Sequence, residues 1–106
     1  MITYDDFMKL DIRIGTVTTA EKVAGTDKLI RLEIDLGTER RQVVAGMATT
    51  YGAEEFIGKQ VPILVNLEPK KLRGIESHGM ILAVDVSGRP ILLLPDREVP
   101  AGSVVR

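Results

Sequence analysis

The stretch "LIRLEIDLG", Leu29 to Gly37, constrains the fold more than any other part of the chain. Ile30, Leu32, Ile34 and Leu36 alternate with Arg31, Glu33 and Asp35. Successive side chains of a strand point to opposite faces, so this run predicts a strand with one buried and one wet face. "GTE" closes a hairpin into a second strand, "RRQVVAG". Ahead of them, "DIRIGTVTTAEKV" predicts another strand, in which Ile12 and Ile14 alternate with Arg13. Gly15 interrupts that pattern and predicts a bulge or sharp bend. "AGTDK" is the turn that follows.

Elsewhere the β pattern is punctuated. Thr3 caps a short helix that ends near Lys9, with Asp6 at its third position favoured by the helix dipole. "YGAEEFIGK" predicts a short helix closed by Gly58. "QVPILVNL" and "GMILAVDV" are two further strands. The order is β-β-β-α-β-β, the plan of an all-β, five-stranded Greek-key barrel of the oligonucleotide/oligosaccharide-binding (OB) type. An SH3-like barrel is the runner-up, and the inserted helix argues against it.

With 106 residues and a hydrophobic fraction of 44%, the chain is expected to be one domain, residues 1–106. The barrel takes about residues 11–86, and residues 87–106 are left over. Within that remainder Ile91 to Leu94 are four consecutive aliphatics between two prolines. An exposed run of that kind is a liability on a monomer, so residues 87–106 are expected to form a homodimerisation extension. The plainer alternative is a tail that folds back on its own barrel. The N-terminus lacks a signal-peptide pattern, and no apolar run approaches the length of a membrane span. A soluble, cytoplasmic protein with no membrane partner is expected, and the absence of cysteine fits a reducing compartment.

Catalytic chemistry is not in view. Ser77 and His78 are strand neighbours and point to opposite faces, so no Ser-His catalytic pair is expected. One histidine and no cysteine leave no zinc site, and no glycine-rich phosphate loop is present. The carboxylates are dispersed, and the adjacent Glu54 and Glu55 read as a solvated face. No catalytic residue, metal ligand or cofactor is therefore expected.

What stands out is a cluster of cations in a chain of net charge −1. Asn66 to Gly74, "NLEPKKLRG", joins the last two barrel strands and holds Lys70, Lys71 and Arg73 against Glu68 alone. In OB-type barrels this loop and the strand 1–2 loop flank the nucleic-acid surface. Arg13, Arg31, Arg40 and Arg41 lie on strands one to three and are expected to add positive potential. The alternative is a solvated surface loop. Only four aromatics are present, Tyr4, Phe7, Tyr51 and Phe56, which is too few for base-by-base stacking. Backbone- and shape-directed recognition of folded RNA fits that inventory better. Met80 offers either an apolar contact to RNA or a core side chain.

The segments "DFMKLDIRIGTV", "AEKVAGTDKLIRLEIDLG", "RQVVAGMATTYGAEEFIGK" and "NLEPKKLRGIESHGMILA" together resemble a tRNA-binding domain family. That domain occurs at the C-terminus of many bacterial methionyl-tRNA synthetases, as free-standing tRNA-binding proteins, in the endothelial monocyte-activating polypeptide group, and in the phenylalanyl-tRNA synthetase beta subunit. The resemblance implies a dimeric five-stranded barrel that binds folded tRNA with little sequence dependence, with an aminoacyl-tRNA synthetase as a candidate partner. It implies roles for Asn66 and Ser77 as hydrogen-bonding groups, Lys71 as a charge, Gly79 as a point of close approach, and Met80. Lys28 and Arg41 are added from the turn and the binding face. The alternative is that Gly74 and Gly79 serve loop geometry and Asn66 ties the loop down. Both a free-standing protein and a synthetase fragment fit the span. The family also includes an export-related chaperone with the same dimeric barrel, which lacks the S-x-G-M and D-K-L patterns and ranks second.

Overall fold

The computed structural model describes all 106 residues, Met1–Arg106. Its organising element is strand β1, Ile12–Lys22, which has two partners. Residues Ile12 to Thr16 pair antiparallel with β4, Gln60–Leu64. Residues Thr16 to Lys22 pair with β2, Ile30–Asp35, which in turn pairs with β3, Arg40–Ala45. One long strand shared between two half-sheets lets a five-stranded sheet curl into a barrel. The fifth strand of that sheet is β7, Met80–Ile81, giving the order β3-β2-β1-β4-β7.

The alternation in β2 is realised as read. Ile30, Leu32 and Ile34 are fully buried, and they join Val17, Val43, Phe56, Val61 and Ile63 in one core cluster. Phe56 comes from a single 3-10 turn, Ala53–Phe56, where the sequence suggested a short helix. The turn lies between β3 and β4 and plugs the barrel with one fully buried ring, packed edge-on to Tyr51 at a centroid distance of 5.5 Å. Burial of a side chain of that size contributes about 1.5–3 kcal/mol. The N-terminal helix α1, Tyr4–Phe7, begins as expected: Thr3 and Asp6 form a reciprocal capping box. It stops at Phe7, short of Lys9.

Three expectations are corrected. The irregularity in β1 falls between Val17 and Thr19, not at Gly15. Gly15 is buried in regular pairing, and a Cβ there would meet Ile34 Cγ2 at 2.3 Å, so packing explains the glycine. "GMILAVDV" is not one strand: β7 ends at Ile81, and β8, Ala83–Val86, leaves the barrel to pair with β9, Arg89–Leu92. The basic segment is not an open loop. It contains a hairpin, β5 at Lys70–Leu72 and β6 at Ile75–Ser77.

The end of the chain divides in two. The β8–β9 hairpin and the residues after it leave Val84, Val86, Ile91, Leu93 and Leu94 exposed. The last residues fold back on the barrel. Val104 bridges Arg13, the Ser103 carbonyl accepts from Ile14 at 2.8 Å, and the Ile12 carbonyl accepts from Val105 at 2.8 Å. Gln60 fastens this tail by pairing with both backbone polar groups of Val99, at 2.7 and 3.0 Å. The tail thus covers the edge of β1 that β2 does not reach, and an unpaired edge is removed.

Candidate nucleic-acid interface

The β5–β6 hairpin turns through two residues, Arg73 and Gly74, with φ of 52° and 78°. Positive φ at both positions is the signature of a type I′ turn, whose twist matches that of its strands. Gly74 adopts it freely, whereas Arg73 is held there at a cost. The turn presents Arg73 at the tip of the hairpin, and β5 carries Lys70 and Lys71; all three are exposed.

Three bonds fasten the hairpin to β3, one of them from the Gln42 side-chain amide to the Glu76 carbonyl at 2.8 Å. The Ser77 hydroxyl is buried, accepts from the Val44 amide at 2.9 Å and donates to the Gly79 carbonyl at 3.1 Å. The His78 amide donates to the Gln42 carbonyl at 2.9 Å. The chain then crosses from the edge of β3 to that of β4 through Gly79. This glycine has φ of 140°, and a Cβ would lie 3.1 Å from both the Leu64 carbonyl oxygen and Ile63 Cγ2. Ser77 and Gly79 therefore close the barrel.

Asn66 has a similar duty at the other end of the segment. Its side-chain oxygen accepts from the Asp11 amide at 2.8 Å and its nitrogen donates to the Lys9 carbonyl at 2.7 Å. Met80 is 45% exposed and lines a shallow apolar groove with Val44, Met47 and Ala83.

The cations separate into two populations. Arg13 is hydrogen-bonded to Asp11 at 2.9 and 3.0 Å. That bond, then the Asp11 charge, and more weakly Glu39, hold the Arg13 guanidinium above its ordinary pKa. Arg41 pairs with Glu39 at 2.5 Å and also donates to the carbonyl oxygens of Val65 and His78. Arg31 meets Glu21 at 2.8 Å and Glu33 at 3.8 Å. The face of strands one to three is thus largely neutralised. Lys28, Arg40, Lys70, Lys71 and Arg73 are exposed and have no carboxylate within ion-pair distance. Lys71 lies opposite Glu76 in the hairpin, but that carboxylate sits 3.1 Å from His78 Nε2 instead.

Lys28 and Arg73 line the same groove of about 400 Å³, between the strand 1–2 loop and the hairpin turn. The two loops that flank the binding surface of an OB-type barrel are therefore brought together here, and both present free cations. The sequence did carry a signal for the neutralised arginines. Asp11-x-Arg13, Glu39-x-Arg41 and Glu76-x-His78 are all spaced by two, which puts each pair on one face of extended chain.

A barrel of the OB type with a cationic hairpin at its rim defines a polyanion-binding class. Comparison with known proteins makes this specific: the family model described as "Putative tRNA binding domain" matches residues 12–104, and the chain belongs to that family. A methionine–tRNA ligase of Methanothrix thermoacetophila is 53% identical over 106 residues, which is 100% of this chain and 16% of the ligase. The chain thus spans about one sixth of the curated relatives it matches. A methionyl-tRNA synthetase-related protein from Pyrococcus horikoshii superposes with a TM-score of 0.96 at 39% identity, covering 100% of this chain and 98% of that one. The chaperone CsaA of Bacillus anthracis superposes with a TM-score of 0.90, also at 39% identity, covering 100% and 99%. No helix is long and apolar enough to cross a membrane.

Proposed function

We propose that this domain binds folded tRNA through shape and backbone contacts, without strong sequence specificity. The hairpin residues Lys70, Lys71 and Arg73, with Lys28 opposite, supply the charge. The observation that carries this reading is that Lys70, Lys71 and Arg73 on the hairpin and Lys28 on the facing loop are exposed without a carboxylate partner, with Lys28 and Arg73 on one groove, while Arg13, Arg31 and Arg41 on the strands are paired. Asn66, Ser77 and Gly79 act by holding the segment in place, and Arg41 supports its backbone from below. The domain works in the cytoplasm as a homodimer and lends tRNA affinity to an aminoacyl-tRNA synthetase. The exposed Val84, Val86, Ile91, Leu93 and Leu94 support an association surface outside the barrel. Its role is binding, not catalysis.

The test is a titration with labelled tRNA, single-stranded RNA of equal length and duplex DNA at two salt concentrations. The expected result is a preference for tRNA with affinity that falls as salt rises. Equal weak binding to all three would overturn it. A second reading, an export-related chaperone, is favoured by the CsaA likeness and the same exposed aliphatics. Suppression of aggregation of an unfolded polypeptide at equal stoichiometry, insensitive to salt, would select it.

A further inference from the structure

A second groove, of about 500 Å³, opens between Glu39 and Arg40 on one side and Leu67 and Pro69 on the other, with His78 as its one aromatic ring. Its volume falls within the range of small-ligand sites. Its floor is fixed. Arg41 is committed to Glu39 and to backbone carbonyls, and Gln42 donates to the Glu76 carbonyl at 2.8 Å while accepting from Arg31 at 3.2 Å. Three groups remain without a partner, and the His78 ring keeps an exposed surface. Leu67 is 47% exposed, Pro69 is exposed beside it, and Arg40 has no ion-pair partner. The His78 ring is 43% exposed and is oriented by Glu76, 3.1 Å from Nε2.

An apolar wall, an oriented flat ring and one free cation at the rim match the parts of a nucleotide. Bases stack on rings and aliphatic surface regardless of sequence, and phosphate takes the guanidinium. We propose that this groove holds one unstacked nucleotide of the bound RNA, its base on His78, Leu67 and Pro69 and its phosphate on Arg40. The inference rests on the RNA-binding reading above and adds a subsite to it. It gives the domain a grip on a loop, bulge or end of a folded RNA, which a regular duplex does not offer.

The probe is adenosine 5′-monophosphate, with adenosine and inorganic phosphate as controls, followed by the methyl resonances of Leu67 and the ring resonances of His78. Saturable shifts at both residues, weaker with adenosine, absent with phosphate and abolished by competing tRNA, are expected. His78→Ala should weaken the nucleotide about tenfold, and His78→Phe, which keeps the ring and loses the Glu76 contact, should restore it. Arg40→Ala should weaken the monophosphate about tenfold and adenosine little. If tRNA binds but the nucleotide leaves Leu67 and His78 unmoved, or is not displaced, the subsite is overturned and the RNA reading stands. If the nucleotide binds there and tRNA does not bind at all, the subsite stands as a nucleotide site and the RNA reading falls.

Discussion

The Val44 amide donates to the buried hydroxyl of Ser77, 33 residues further along the chain, at 2.9 Å. One side-chain oxygen here replaces a backbone carbonyl in the ladder between β3 and the closing segment. Ser77→Ala would leave that amide buried without an acceptor, and the Gly79 carbonyl without its donor. The expected loss is about 1–3 kcal/mol in denaturant unfolding. A variant as stable as the parent would show that the closure does not depend on this hydroxyl.

Charge and turn geometry are separable at Arg73. Asparagine adopts positive φ more readily than arginine and is preferred ahead of glycine in a type I′ turn. Arg73→Asn should keep or slightly raise the melting temperature while lowering tRNA affinity. Lys71→Ala should reduce the slope of log affinity against log salt by about one. An unchanged slope in both variants would remove the hairpin from the interface.

Gln60 holds the tail through both polar groups of the Val99 backbone. Gln60→Ala should speed amide exchange at Ser103 and Val105, whose amides donate to Pro100 and Ile12 carbonyls, before it affects β2. Uniform acceleration across the barrel would mean the tail and barrel unfold as one unit.

The N-terminal cap gives a pH signature. The Thr3 backbone amide, the Lys9 ammonium and the Thr3 hydroxyl, in that order, hold the Asp6 carboxyl below its ordinary value of 3.8. A depressed folded pKa stabilises the cap above the unfolded value, and the contribution is lost as pH falls through the folded one. NMR titration should place the Asp6 midpoint below 3.8, and Thr3→Val should move it upward.

The strands β2 and β3 were legible because a half-buried sheet writes its burial into alternate residues, as at Ile30, Leu32 and Ile34. The β5–β6 hairpin was not. Its strands are three residues long, β5 carries two adjacent lysines and β6 shows no alternation, and its order comes from Ser77 and His78 bonding to β3. The same gap explains the arginines. Positions on the chain alone make Arg13, Arg31 and Arg41 look like free charge; Asp11 and Glu39, two residues before Arg13 and Arg41, were legible as partners, whereas Glu21 meets Arg31 only across the β1–β2 ladder. Lys28 and Arg73 lie far apart in the chain, and only the closure of the barrel puts them on one groove. Leu67 and His78 lie within the stretch that carried the family resemblance, but nothing in the sequence showed that they share a groove with Arg40.

Because Arg13 and Val104 are ladder partners, the two ends of the barrel's chain leave it from neighbouring points. A short linker could join them and new termini could be opened at the exposed Ser87–Gly88 turn with the barrel pairing intact. The same proximity makes the fold easy to carry as an insert in, or an appendage to, a larger chain. The closeness of the barrel's two ends, on which any circular permutation would depend, is thus owed to seven residues of docked tail, Val99 to Val105.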